Sequence, residues 1–180
     1  MSSLFYVANL IGYLRIFCLF IATYYSELTT TFLYFYFASY ALDAVDGPVA
    51  RALGGESKLG HSLDMVTDRA SSAVLLALLG KEWLFYLMLD ISAHWIHFSS
   101  SLQSNEYHKQ VKDNFLLEWY YKRTNLFMLC LTNESYLIGC FLNNRGISIP
   151  YLNILYPCFI LKQSISVIHL VRGCFKLSQI

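Results

Sequence analysis

The chain has 180 residues, of which 56% are hydrophobic and 14% are charged, with a formal net charge of +1. Soluble domains carry about 25% charged residues, so this composition excludes an ordinary soluble globule, and the mean hydropathy of +0.44 agrees. A net charge this close to zero argues against a nucleic acid as a partner. We therefore expect one all-α integral membrane domain covering residues 1–180.

The first half of the chain contains three apolar segments that predict membrane helices. The first, residues 4–25, is interrupted on one side by Arg15 and is expected to begin as an interfacial helix before it crosses the bilayer. The second starts at residue 29 and has no helix breaker before the acidic residues that follow it. A glycine pair at residues 54–55 separates it from a third helix, expected over residues 59–79.

Four aspartates stand on the second and third predicted helices. Asp43 and Asp46 are spaced i, i+3, and Asp64 and Asp68 are spaced i, i+4, so each pair shares one helix face. Spaced carboxylates usually form a solvated face. A carboxylate at membrane depth, however, costs roughly 2.5–3.5 kcal/mol, so four aspartates in such sequence are expected to have a function. Two facing acidic stripes beside small residues indicate a site for hard divalent cations and a phosphate-bearing ligand.

The fourth predicted helix covers residues 83–99 and contains three ionisable side chains. We interpret His94 and His97 as polar groups that are satisfied within a helical bundle, with Asp90 paired to His94 one turn away. Residues 100–123 are the most polar part of the chain and are expected to form a solvated loop or a surface helix.

A fifth and a sixth helix are expected over residues 124–142 and 148–171, which brings the count to about six membrane helices. Pro157 lies within the last of these segments and is expected to kink it. With six spans, the loops on one side carry only Lys81 and Arg145, whereas the other lysines and arginines of the loops fall on the opposite side. The positive-inside bias then places both termini and the aspartates on the cytoplasmic side.

The stretch from Asp43 to Asp68 reads D-x-x-D-G-x-x-A-R-x8-G-x3-D-x3-D and resembles the signature of the CDP-alcohol phosphatidyltransferases. Residues 9–15 (NLIGYLR), 94–97 (HWIH) and 104–109 (SNEYHK) resemble the eukaryotic phosphatidylinositol synthase branch of that family. The resemblance implies the CDP-alcohol phosphotransferase fold and transfer of a phosphatidyl group from CDP-diacylglycerol to myo-inositol, with release of CMP. It also implies a homodimer in the endoplasmic reticulum membrane.

The resemblance also implies roles for the aspartates. Asp43, Asp46 and Asp64 are expected to bind Mg²⁺ or Mn²⁺, as two ions, and Asp68 is expected to act as the general base and to touch the same metal shell. A carboxylate beside two cations is a weak base, so its advantage would be its position against the attacking hydroxyl.

Three further residues are expected to bind CDP-diacylglycerol. Gly47 would allow close approach of the nucleotide, Arg51 would bind the diphosphate, and Ser57 would offer a hydroxyl. A plain positive-inside anchor is the alternative role for Arg51. Residues 103–112 are expected to shape the choice of acceptor.

Two other functions fit parts of the pattern. The same chemistry with glycerol phosphate, serine or choline as acceptor differs only in the alcohol, and an anionic acceptor would need more cations than Lys122 and Arg123 provide. A divalent-cation transporter would also need carboxylates within the membrane. It would place them at mid-bilayer, whereas here they cluster once beside Arg51, which would repel a permeating cation.

Overall fold

The computed structural model describes residues 3–103 and 115–179, which form helices and turns without a β-strand among them. This confirms the all-α prediction. The seven α-helices are α1 (Val7–Tyr24), α2 (Thr29–Ala52), α3 (Lys58–Leu79), α4 (Leu84–Gln103), α5 (Phe115–Tyr120), α6 (Arg123–Asn144) and α7 (Tyr156–Leu177). The chain forms two compact units, residues 1–74 and 75–180. A single domain stays a prediction.

In the first unit, α1 packs along α2. The buried side of α1 follows helical spacing and combines small, polar and apolar residues: Asn9, Gly12, Arg15, Cys18, Leu19 and Ala22. The buried residues of α2 are Phe32, Tyr36 and Ser39, and the Ser39 hydroxyl donates to the carbonyl of Arg15 at 3.2 Å. A polar strip thus runs along the inner side of an otherwise apolar helix.

The junction between α2 and α3 is built from turn residues, as the glycine pair predicted. Gly54 adopts a left-handed conformation (φ +62°), and the N–H of Gly55 donates to the carbonyl of Ala50 at 2.9 Å. This is the Schellman arrangement that ends a helix at glycine. Ser57 then begins α3, because its Oγ accepts the N–H of Gly60 at 3.0 Å and so caps the new helix.

In the second unit, α4 packs along α7. Gly173 allows this contact, because a Cβ at that position would lie 3.0 Å from the backbone nitrogen of His97. Trp83 packs against Tyr136 of α6 and Phe159 of α7, with ring centroids 6.3 and 5.6 Å away. Glycine contacts and aromatic packing therefore hold this unit together.

The prediction of a solvated loop or a surface helix over residues 100–123 did not anticipate that several of its side chains are buried. Ser101 is buried on the last turn of α4, and Leu117 and Tyr120 of α5 are buried in a cluster with Ile165. The i, i+3 spacing of Leu117 and Tyr120 forms an apolar stripe that the polar composition of the segment obscured. Residues 104–114, and with them most of the predicted acceptor-selecting stretch, lie outside the described residues.

Each of the six predicted apolar segments overlaps a helix of at least 18 residues in the described part of the chain. Three helical stretches there are both long and apolar enough to cross a membrane: Val7–Tyr24, Arg123–Asn144 and Leu152–Leu177. Six spans therefore stay a prediction, as does an interfacial position for the start of α1, which follows a single 3-10 turn at Ser3–Phe5.

The predicted kink at Pro157 is wrong. The structure places Pro157 in the first turn of α7, after a separate 3-10 helix at Leu152–Leu155. Proline is tolerated there because the first N–H groups of a helix have no intrahelical acceptor. Pro48, by contrast, lies inside α2.

Candidate functional site

The four aspartates converge within the first unit. Asp43 and Asp46 project from the last turns of α2, and Asp64 and Asp68 from the first half of α3. Carboxylate oxygens of Asp43, Asp64 and Asp68 all lie within 4.8 Å of one another. The two pairs thus share one site, as their spacing predicted.

Arg15 of α1 lies at the centre of this cluster. Its Nη2 is 2.6 Å from Asp43 Oδ1 and 2.9 Å from Asp68 Oδ1. Its Nη1 is 2.7 Å from Asp46 Oδ2 and 3.6 Å from Asp64 Oδ1. The side chain of Arg15 is only 2% exposed, whereas those of the four aspartates are between 16% and 36% exposed. The guanidinium therefore reaches the carboxylates from inside the bundle, and the carboxylates face outward.

Sequence reasoning noticed Arg15 but gave it no partner and no role. A signal was available, because a charged residue on the buried side of an apolar helix needs a counter-charge from a neighbouring helix. The only stretch dense in aspartates runs from Asp43 to Asp68. Pairing Arg15 with that stretch would have predicted the contact between α1 and the acidic helices.

The aspartate cluster fits a hard divalent cation. Carboxylate oxygens are the ligands that Mg²⁺ and Mn²⁺ prefer. At Mg²⁺–oxygen bond lengths of about 2.1 Å, oxygens on opposite sides of one ion are about 4.2 Å apart, and the oxygens of the three aspartates lie within 4.8 Å of one another, which is close to that spacing. Asp43, Asp64 and Asp68 could hold such an ion directly, and Asp46 lies against the same guanidinium.

Ser57 occupies a connected but different position. Its Oγ accepts the N–H of Gly60 and also a hydrogen bond from Asn9 Nδ2 at 3.2 Å. Asn9 is 1% exposed and donates as well to the carbonyl of Ser3 at 2.6 Å. Both lone pairs of the Ser57 oxygen are thereby used, which leaves its O–H to donate. In the binding role predicted for it, Ser57 would act as a donor to a phosphate oxygen.

Gly47 and Arg51 are adjacent, as their i, i+4 spacing predicted. A Cβ at Gly47 would lie 3.4 Å from Arg51 Nη1, so the guanidinium folds back along α2 over the glycine. Arg51 is exposed and forms no ion pair with any residue that the structure describes. Its charge is therefore available to an anionic ligand at the end of α2.

The histidines of α4 belong to a buried polar cluster in the second unit. His94 Nδ1 lies 3.3 Å from Asp90 Oδ1, the pairing that the sequence predicted. The hydroxyl of Tyr121 contacts His97 Nε2 at 3.1 Å and His169 Nε2 at 2.9 Å. The interpretation of these histidines as satisfied polar groups agrees with those contacts. Sequence reasoning missed Tyr121 and His169, because Tyr121 lies 24 residues from His97 and 48 residues from His169 along the chain.

Comparison with known proteins supports the family resemblance of the stretch from Asp43 to Asp68. The family description "CDP-alcohol phosphatidyltransferase" matches residues 5–110. The chain is similar to the CDP-diacylglycerol--inositol 3-phosphatidyltransferase of Saccharomyces cerevisiae, with 35% identity over 97% of this chain and 87% of the relative. The corresponding protein of Homo sapiens is 37% identical over 93% and 89%, and protein 1 of that name in Arabidopsis thaliana is 36% identical over 86% and 73%. No solved structure gives a significant match. The matched region contains all three helices that form the aspartate cluster, and the chain belongs to the CDP-alcohol phosphatidyltransferase family.

Proposed function

We propose that this protein synthesises phosphatidylinositol by transferring the phosphatidyl group of CDP-diacylglycerol to myo-inositol, with release of CMP. The observation that carries the proposal is the convergence of the α2 and α3 carboxylates on one site. It occurs in a chain whose relatives, at 35–38% identity, carry the name of that activity. Transfer of a phosphatidyl group from a diphosphate builds up negative charge, which cations held by a carboxylate cluster can neutralise.

In the proposed reaction, a hydroxyl oxygen of inositol attacks the phosphorus that bears diacylglycerol. A new oxygen–phosphorus bond forms, the bond from that phosphorus to the bridging oxygen breaks, and CMP leaves with the bridging oxygen. Asp68 takes the proton of the attacking hydroxyl, a role supported by a side chain that is 36% exposed and therefore accessible from outside the bundle. Mg²⁺ or Mn²⁺ held by Asp43, Asp46 and Asp64 would neutralise the charge of the diphosphate.

Three residues near the cluster are proposed to bind the nucleotide part of the donor. Arg51 has an exposed guanidinium whose fork matches two oxygens of a phosphate group. Gly47 has no side chain, which lets the guanidinium of Arg51 lie close to the α2 backbone. Ser57 offers its remaining O–H, because its oxygen already accepts two hydrogen bonds.

The proposed location of the site is the cytoplasmic side of the endoplasmic reticulum membrane. The acyl chains of the donor would stay in the bilayer, while the nucleotide and inositol arrive from water. The three apolar helical stretches and the family support an integral membrane protein. The homodimer implied by the resemblance is part of the same proposal.

An acceptor assay tests this function. Membranes containing the expressed protein are incubated with CDP-diacylglycerol and Mn²⁺, with one alcohol at a time, and both CMP and the lipid product are measured. We expect product with myo-inositol and none above background with glycerol phosphate, serine or choline. Membranes containing Asp46→Asn serve as the matched control for activity from other proteins. Product with another alcohol in place of inositol would overturn the proposed acceptor.

A further inference from the structure

We propose that Arg15 is an internal counter-ion that holds the aspartate cluster together before a divalent cation binds, and that cation binding requires its guanidinium to release the carboxylates. This inference rests on the proposed metal-dependent function and adds a specific competitor for the metal ligands. It gives Arg15 two opposite effects: it stabilises the metal-free protein, and it weakens the apparent affinity for metal.

The contacts of Arg15 support the first effect. Each terminal nitrogen contacts one aspartate of α2 and one of α3, so a single side chain of α1 links three helices. Without it, four carboxylates would face one another with oxygens of three of them within 4.8 Å. Like charges at such distances repel strongly where water is partly excluded. The metal-free protein therefore depends on Arg15 for local neutralisation.

The same contacts support the second effect. The guanidinium occupies the space between the carboxylates and uses Asp43 Oδ1 and Asp68 Oδ1, both from residues that could hold the ion. Arginine does not lose its charge in proteins, so a divalent cation and the guanidinium repel each other when they share these oxygens. That repulsion can be relieved only if the side chain moves.

The third nitrogen of the guanidinium adds no hydrogen bond that would oppose such a movement. Arg15 Nε is buried and has no hydrogen-bond partner among the described residues. Among the described residues, the polar contacts of the guanidinium are therefore those of its terminal nitrogens with the aspartates. Once a cation takes those carboxylates, no hydrogen bond at Nε retains the guanidinium in its present position.

The test measures metal binding and stability rather than turnover. Full-length parent and Arg15→Gln are purified in detergent, bound Mn²⁺ is measured by electron paramagnetic resonance, and thermal unfolding is followed with EDTA and with Mn²⁺. We expect Arg15→Gln to bind Mn²⁺ about tenfold more tightly or better, since one neighbouring charge commonly shifts the proton affinity of a carboxylate by about 1–3 pKa units. We also expect a lower melting temperature in EDTA and a larger rise on adding Mn²⁺.

Two further variants make the result specific. Asp46→Asn should weaken Mn²⁺ binding, which shows that the signal reports this site, and Arg145→Gln, from the second unit, should bind Mn²⁺ like the parent. If Arg15→Gln cannot be purified folded, Arg15→Lys decides, because its single ammonium cannot contact all four carboxylates as a fork does. It should bind Mn²⁺ more tightly than the parent does.

Equal or weaker Mn²⁺ binding in the folded Arg15 variant would overturn the inference, and so would a parent that binds no Mn²⁺. An orienting role would give that result, since removing a group that positions ligands lowers metal affinity. Failure of the proposed function is distinguishable. If Arg15→Gln binds Mn²⁺ more tightly than the parent, but the parent releases no CMP with inositol, this inference stands and the proposed acceptor is refuted.

Discussion

Gly60 provides a sharp test of how α1 and α3 are held together, through the substitution Gly60→Ala. A Cβ at this position would lie 2.8 Å from Asn9 Oδ1 and 3.3 Å from Ser57 Oγ. Asn9 is 1% exposed and is held by two hydrogen bonds, so it has little room to retreat. The added methyl group must therefore displace Asn9 or move the start of α3.

The size of the effect follows from opposing contributions. Overpacking a tight site costs about 1–3 kcal/mol, and losing the hydrogen bond between Asn9 and Ser57 costs about 0.5–1.5 kcal/mol more. Alanine regains about 1 kcal/mol over glycine through helix propensity. The expected net destabilisation is about 1–3 kcal/mol. In a chain of this size, each kcal/mol lowers the melting temperature by about 2–4 °C.

Gly12→Ala is the matched control, because it makes the same change at another contact between α1 and α3. A Cβ at Gly12 would lie 3.5 Å from the Leu63 side chain, which is an ordinary van der Waals distance. Its melting temperature should equal or exceed that of the parent, and its turnover should be kept. Gly60→Ala should melt lower and lose turnover, because Asp64 lies one turn along the displaced helix. Equal melting temperatures for the two variants would refute this account of the packing.

Three further predictions concern single side chains. Asp68→Asn keeps one oxygen that can coordinate Mn²⁺ but cannot accept a proton, so turnover should fall by about 10²–10⁴-fold while the variant still binds Mn²⁺. Asp46→Asn should instead raise the Mn²⁺ concentration needed for activity, and equal loss of liponucleotide binding in both would argue against separate roles. Arg51→Lys replaces a fork with a point charge and should weaken CDP-diacylglycerol binding while metal binding persists; parent-like turnover would leave Arg51 as a topology anchor. Tyr121→Phe leaves two histidine nitrogens without their shared hydroxyl and should lower stability by about 1–3 kcal/mol, seen as a lower melting temperature with unchanged Mn²⁺ binding.

Local features of the fold were predictable because their causes lie close together in sequence. The glycine pair at residues 54–55 ends α2 through a left-handed residue, and Ser57 caps α3 three residues before Gly60. The shared face of Asp64 and Asp68 likewise follows from helical spacing alone. Such features need no knowledge of what the helix packs against.

The start of α7 was mispredicted because the apolar sequence continues without a break across a change in backbone conformation. Residues 148–171 read as one apolar run, but Tyr151 adopts a left-handed conformation (φ 59°) and a 3-10 helix follows it. Pro157 therefore falls at a helix start rather than inside a helix. The apolar residues continue through this turn, where Tyr151 is 81% exposed, so composition alone does not locate the boundary.

The central contact of the site was unpredictable for a different reason. The aspartate spacing indicates that some cation lies between α2 and α3, but it does not distinguish a metal ion from a guanidinium. Arg15 satisfies the same pattern, since each of its terminal nitrogens takes one carboxylate from each helix. Guanidinium groups and hard divalent cations both bind carboxylate oxygens, so the same aspartates suit either cation. Under the proposed exchange, the same aspartates hold the guanidinium first and the divalent cation afterwards, so the sequence alone does not show which cation the structure contains.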